Sequence, residues 1–214
     1  MALLQTIHLE HLPTSYELHI ALYHNVTNAA FLHQQLLTSN TEFEYTFLDA
    51  SVILSRVHIL AAAYRAINDM QENRLRTRNV HSEIVFSLSP NNNISESFRR
   101  FGITPATASL LVLKLSTPTS PFPAADVQVH LASAVSGDQV AFTDQVLEKM
   151  TDLARVRKIY KANGGAGGKG RERGHVGGNG AKVSVKTEVG KEERERRELE
   201  VLVLGAMALR SLTN

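Results

Sequence analysis

The chain has 214 residues, 43% hydrophobic and 21% charged, with no cysteine and a formal net charge of +2. That is enough chain for a self-sufficient core, and the lack of Cys excludes a disulfide scaffold, a thiolate metal centre and a cysteine nucleophile, as expected in a reducing intracellular compartment. Residues 1–150 carry nine Lys+Arg against thirteen Asp+Glu, whereas residues 151–214 carry fourteen against eight, so the basic end is either an anion-binding region or a solvated tail.

The N-terminus lacks a basic lead and meets Glu10 before an apolar stretch completes, and no run approaches about 18 apolar residues. The expectation is a chain neither exported nor membrane-spanning. Alternation over Leu3 to Leu9 and Glu17 to Asn25, with Pro13-Thr14-Ser15 between, predicts two early strands. Thr27 is a candidate N-cap for a helix carrying Ala30, Phe31, Leu36 and Leu37 and ending near Ser39-Asn40. From about Ser51 to Asn73, Val52, Leu54, Val57, Leu60, Ala61, Tyr64 and Ile67 recur at helical steps and predict a long helix.

Ile84, Phe86 and Leu88 alternate within residues 82–89, and Pro90 with three Asn follows, which predicts a buried strand. Asn93 or Ser95 then caps a short helix through Phe98, Arg99, Arg100 and Phe101, with Gly102 as its left-handed stop. Ser109 to Ser116 reads as a central strand. A Pro-rich connector over 117–123 precedes helical candidates at 124–135, 143–150 and 151–161.

Nine of the seventeen positions from Gly164 to Gly180 are glycine. Such a segment buries too little apolar surface to offset its ordering entropy, so residues 163–190 are expected to be a basic disordered insert between an α/β domain over 1–162 and a C-terminal helix over 191–214. That helix is charged in its first half and apolar on every side over Val201-Leu-Val-Leu-Gly-Ala-Met-Ala-Leu209. An all-round apolar helix must be covered all round, and nine residues do not cross a bilayer. The expected fold is α+β: one domain with a mixed, largely antiparallel sheet flanked by helices, its last helix available for docking.

Catalytic and cofactor motifs fail on context. Gly165-Ala-Gly167-Gly-Lys-Gly170 satisfies a dinucleotide-binding spacing without the strand before it or the helix after it. His8 and His11, beside His19 and His24, differ by an odd step and point to opposite faces of a strand, so no metal is expected. No carboxylate pair or nucleophile elbow stands out; no cofactor and no enzymatic activity are expected. What remains is arginine at two junctions, Arg74, Arg76 and Arg78 after the long helix, and Arg99 with Arg100 in the short one. Guanidinium forks suit phosphate oxygens, while a solvated face with ion pairs to Glu83 and Glu96 is the alternative.

Residues 76–103, from Arg76-Thr-Arg-Asn-Val-His-Ser-Glu through Ser-Phe-Arg-Arg-Phe-Gly-Ile103, closely resemble the PRPK-binding protein family, the small kinase-binding subunit of the KEOPS (EKC) complex. The likeness extends loosely from Leu18 to Tyr160, including Val156-Arg-Lys-Ile-Tyr160, and resumes in Ala206-Met-Ala-Leu-Arg-Ser-Leu212. It implies a fungal, non-catalytic α/β subunit that binds the N-terminal lobe of a PRPK-type atypical kinase/ATPase and, through it, the threonylcarbamoyl transferase and other subunits. It further implies stimulation of tRNA threonylcarbamoyladenosine formation through the single-stranded CCA end, a link to telomere maintenance, and a place in nucleus and cytoplasm. The glycine insert departs from the family's short connection. An interaction protein that regulates a kinase or associates with chromatin without touching RNA is the competing class.

Two apolar stripes on the last helix suit two neighbours, Leu199, Leu202, Ala206 and Leu209 forming one and Val201, Leu204, Ala208 and Leu212 the other. Leu199, Val201, Leu202, Leu204, Leu209 and Leu212 are therefore candidate kinase-binding residues. Arg76, Arg78, Arg99 and Arg100, with Arg157 and Lys158 in reserve, are candidates for tRNA phosphates.

Overall fold

The computed structural model describes residues 3–162 and 185–210. An antiparallel sheet of five strands is its centre, built from β1 (Gln5–Ile7), β2 (Glu17–His24), β3 (Thr46–Asp49), β4 (Leu110–Ser116) and β5 (Asp138–Val140). The order is β1-β2-β4-β3, and β5 shares the outer edge of β2 with β1. Register splits the side chains cleanly. Leu18, Ile20 and Leu22 of β2 stand opposite Leu115, Leu113 and Leu111 of β4 on one face, while His19, Ala21 and Tyr23 stand opposite Lys114, Val112 and Leu110 on the other.

Both faces are covered, which is why β4 is buried at all seven positions and reads as an almost unbroken apolar run. The first face packs on α2 (Arg56–Gln71), α3 (Val80–Ser87), α6 (Asp144–Met150), α7 (Leu153–Ile159) and the last helix, α8 (Val185–Leu209), with Phe101 of α4 (Ile94–Phe101) in the same core. The second face is covered by α1 (Ala29–Leu37) and α5 (Ala124–Ala134) through Ala29, Leu32, Val127 and Leu131. The α+β expectation holds.

Several local expectations are corrected. Residues 82–89 form no strand. Asn79 accepts from the Ser82 N–H at 2.9 Å and starts α3, which is buried nearly all round. A helix without a polar face loses the 3.6-residue signal, and its apolar run is indistinguishable from a buried strand. The long helix starts at Arg56, because Asp49 caps a 3₁₀ turn over 50–52 and Ser55 caps α2 by accepting from His58 N–H at 3.1 Å. Thr27 is not the cap of α1; Asn28 is, and its side chain is spent on Ala134 O and the Ser136 N–H. Gly102 is extended (φ −67°, ψ 161°) rather than left-handed; it is needed because a Cβ there would lie 2.6 Å from the Phe98 carbonyl oxygen. β3 and β5, unanticipated, are short strands at the sheet's margins.

α8 begins at Val185, six residues before the expected Lys191. The expected disorder of the glycine tract concerns residues 163–184, which lie outside the described residues. Leu212 does too.

Candidate interaction surfaces

α8 touches the domain along one narrow arc. Leu199, Val203 and Met207, spaced four apart, are buried in the main core, each contributing about 2 kcal/mol by burial. Polar clamps run alongside: Arg196 donates to Leu54 O, the Ser55 hydroxyl to Glu200, Arg65 to Met207 O at 2.8 Å, and Arg210 to Phe86 O and to Ser89 O at 3.3 Å. Three of these acceptors are backbone carbonyls on other elements, so the helix is fixed in rotation as well as position.

The opposite arc is apolar and uncovered. Val201 is 73% exposed, Leu209 56% and Leu202 43%. A period of 3.6 residues puts Gly205 in the middle of that arc, where an added Cβ would meet nothing within 4 Å. Nothing inside the chain therefore requires a glycine, which costs a helix about 1 kcal/mol relative to alanine.

The expected two stripes are thus redrawn. Leu199 faces the domain's own core, Leu202 and Leu209 join Val201 outside, and Leu204 is half-buried on the flank. Val203 and Met207, in neither stripe, make the core contact. Their spacing with Leu199 was legible, but Leu or Val at every intervening position masked it.

The arginines gather at a pair of recesses. The larger has a volume of about 610 Å³ and lies between the end of α1, residues 39–47, α3, α4 and the 102–105 loop. Phe43, Tyr45 and Phe47, alternate residues leading into β3, line it with Val85, Phe98 and Ile103, and Arg78 and Arg99 lie on its wall. The Arg78 guanidinium donates to Ser39 Oγ at 2.7 Å. Its placement traces to Glu83, whose buried carboxylate accepts from the Arg76 and Thr77 N–H groups at 3.0 and 2.8 Å and from Thr77 Oγ1 at 2.6 Å, fixing the turn before α3.

The smaller recess, about 300 Å³, is lined by Arg99, Arg100, Arg155, Lys158 and Ile159. Arg99 belongs to both, so they adjoin there. Their charges are unequal in availability. Arg155 donates to Asp49 Oδ2 at 2.6 Å, and Arg100 pairs with Glu96 and donates to Ile159 O at 3.2 Å. Arg99 has a 77% exposed side chain and only a 3.6 Å approach to that same Glu96, a pairing worth little in water.

Of the sequence candidates, Arg78, Arg99, Arg100 and Lys158 are brought to these recesses. Arg76 is exposed but lines neither, and Arg157 lines neither while pairing with Glu195 at 3.4 Å. Arg155 was missed, since its position in α7 carries no local signal of the neighbouring arginines. The aromatic row was missed because β3 was. Phe98 lines the larger recess, whereas Phe101 is core. Among the described residues no group of three or more His, Cys, Asp or Glu is placed to hold a metal ion, and no helix is long and apolar enough to cross a membrane.

A domain with one firmly rooted helix and a bare apolar arc on it is built to dock, and the comparisons agree. Residues 23–211 match the family described as kinase binding protein CGI-121. The chain belongs to that family. It is 45% identical over 210 residues, 98% of each chain, to the EKC/KEOPS complex subunit cgi121 of Aspergillus fumigatus. It is also 45% identical over a 219-residue alignment spanning both chains to the EKC/KEOPS complex subunit CGI121 of Coccidioides immitis. With the subunit of the same description from Schizosaccharomyces pombe it shares 34% over 145 residues, 68% of this chain and 82% of the relative. The CGI-121 match runs through α8, so the docking helix is part of the family's common unit.

Proposed function

We propose that the chain is a non-catalytic subunit of an EKC/KEOPS complex that docks its kinase subunit on the outer arc of α8 and supports tRNA threonylcarbamoyladenosine modification by holding the tRNA 3′ end. The observation that carries this reading is the exposure of Val201, Leu202 and Leu209 around Gly205 on a helix whose other side is locked into the core. Large apolar side chains contiguous on one face mark a partner site, and a rigid helix presents it at little ordering cost. The kinase-binding description of the family names the partner's class.

The RNA half rests on the recesses that meet at Arg99. A single strand needs cations for its phosphates and apolar planes for its bases, and Arg78, Arg99 and Lys158 stand beside Phe43, Tyr45, Phe47 and Phe98. Leu202→Arg with Leu209→Arg should abolish co-purification of the kinase and leave RNA binding intact. Arg78→Glu with Arg99→Glu should weaken a CCA-ended single strand at least tenfold and lower its salt slope, leaving kinase binding intact. If neither pair acts on its own partner, both assignments fail.

A further inference from the structure

Deep in the larger recess, on the first turn of α3, is His81. It is one of the 21 residues lining that recess and is 6% exposed. Its Nε2 accepts a hydrogen bond from the backbone N–H of Leu115 at 3.2 Å. An imidazole nitrogen that accepts carries no proton, so in the neutral ring the proton is on Nδ1. That Nδ1–H is buried and has no hydrogen-bond partner. The surroundings keep the ring neutral: burial, then the nearby Lys114 charge, push His81 down to about 3. A buried donor left without an acceptor is costly and asks for an explanation.

The explanation is in the recess. Its volume, about 610 Å³, is that of a small-ligand site. Its walls offer aromatic and aliphatic surface, and two guanidinium groups, Arg78 and Arg99, lie on it while the carboxylate nearest Arg99 is committed to Arg100. The matching occupant is flat, apolar on its faces, equipped with a hydrogen-bond acceptor on its edge, and attached to an anion. An unpaired nucleobase with its phosphate meets each term. Resting on the RNA reading above, we propose that His81 is the base-reading residue of this recess, its neutral Nδ1–H donating to an edge acceptor of the terminal unpaired base while Arg78 and Arg99 hold the adjoining phosphates.

A donor of this kind distinguishes base edges in a way the arginines do not. A ring nitrogen or carbonyl oxygen satisfies it, and an edge presenting C–H at that position leaves it orphaned. A single lost hydrogen bond of this sort weakens binding by about tenfold.

The test uses the full chain labelled with 15N in its histidines, with His81 assigned by comparison with His81→Gln. Gln retains an acceptor for the Leu115 N–H and removes the imidazole donor. A short single-stranded RNA ending in CCA is added, and its binding is followed in parallel by fluorescence anisotropy. The expected result is a neutral His81 ring throughout, with the Nδ1–H proton resonance moving downfield by about 1 ppm or more on saturation. Replacing the terminal adenosine by deaza analogues, one ring nitrogen at a time, should cost about tenfold in affinity for one analogue, a loss absent in His81→Gln. If the RNA binds and the His81 resonances stay in place, His81 serves the fold or an internal water and the proposal is overturned. If anisotropy shows no binding at all, the RNA reading itself fails and takes this inference with it.

Discussion

The Arg210 guanidinium lies 4.1 Å from the centroid of the Phe86 ring while donating to the Phe86 carbonyl, so the end of α8 is pinned to the helix that also lines the larger recess. Charge-assisted bonds to carbonyls and a desolvated cation–π contact are among the stronger polar interactions available. Arg210→Ala should destabilise the protein by about 3 kcal/mol, read as a lower midpoint in guanidinium unfolding. An unchanged midpoint would show that the latch contributes nothing to holding α8.

Acid should weaken the fold through two histidines. His58 accepts from the Leu54 N–H on Nδ1 at 3.1 Å and donates from Nε2 to the Tyr160 hydroxyl at 2.8 Å. Burial pushes it down to about 3, as burial and Lys114 do His81. In the unfolded chain both titrate near their ordinary value, about 6.5. Below that pH the unfolded state binds protons that the native state refuses, so this stability is complete above about 6.5 and lost as pH falls toward 3. Between pH 7 and pH 5 each histidine should cost about 2 kcal/mol, measured as the fall in urea midpoint. A midpoint that holds steady would place protons on these rings in the native state.

Gly205→Ala separates the needs of the helix from those of its partner. No atom lies within 4 Å of the added Cβ, so helix propensity should raise stability by up to about 1 kcal/mol. If a kinase helix packs closely against this arc, the same methyl should weaken kinase affinity. A variant that is more stable and binds equally well would show that the glycine does not mark the contact.

Much of this was legible in the residues. β2 and β4 announced themselves by alternation and by an unbroken apolar run, and α2 by its period, because each meets a contrast between core and solvent or a long enough span. α3 did not, being buried almost all round; only the Asn79 cap with Ser82 and Glu83 after it marked a helix start. At α8 the excess of apolar surface was plain, but its division was not. With Leu, Val, Ala and Met at consecutive positions every arc looks alike, and the core side is set by where Leu54, Ser55, Arg65 and Phe86 offer partners. Arg78 and Arg99 were visible as basic junctions; their shared recess depends on β3 and on residues 39–47, which carried no strand signal of their own.

The most direct measurement is a calorimetric titration of the purified kinase subunit with the wild-type chain and with Val201→Arg. Val201 is 73% exposed, so the substitution leaves the core and the unfolding midpoint untouched, and affinity should fall at least a hundredfold. Undiminished affinity with an unchanged midpoint would contradict the account, because the bare arc of α8 would then not be where the kinase sits.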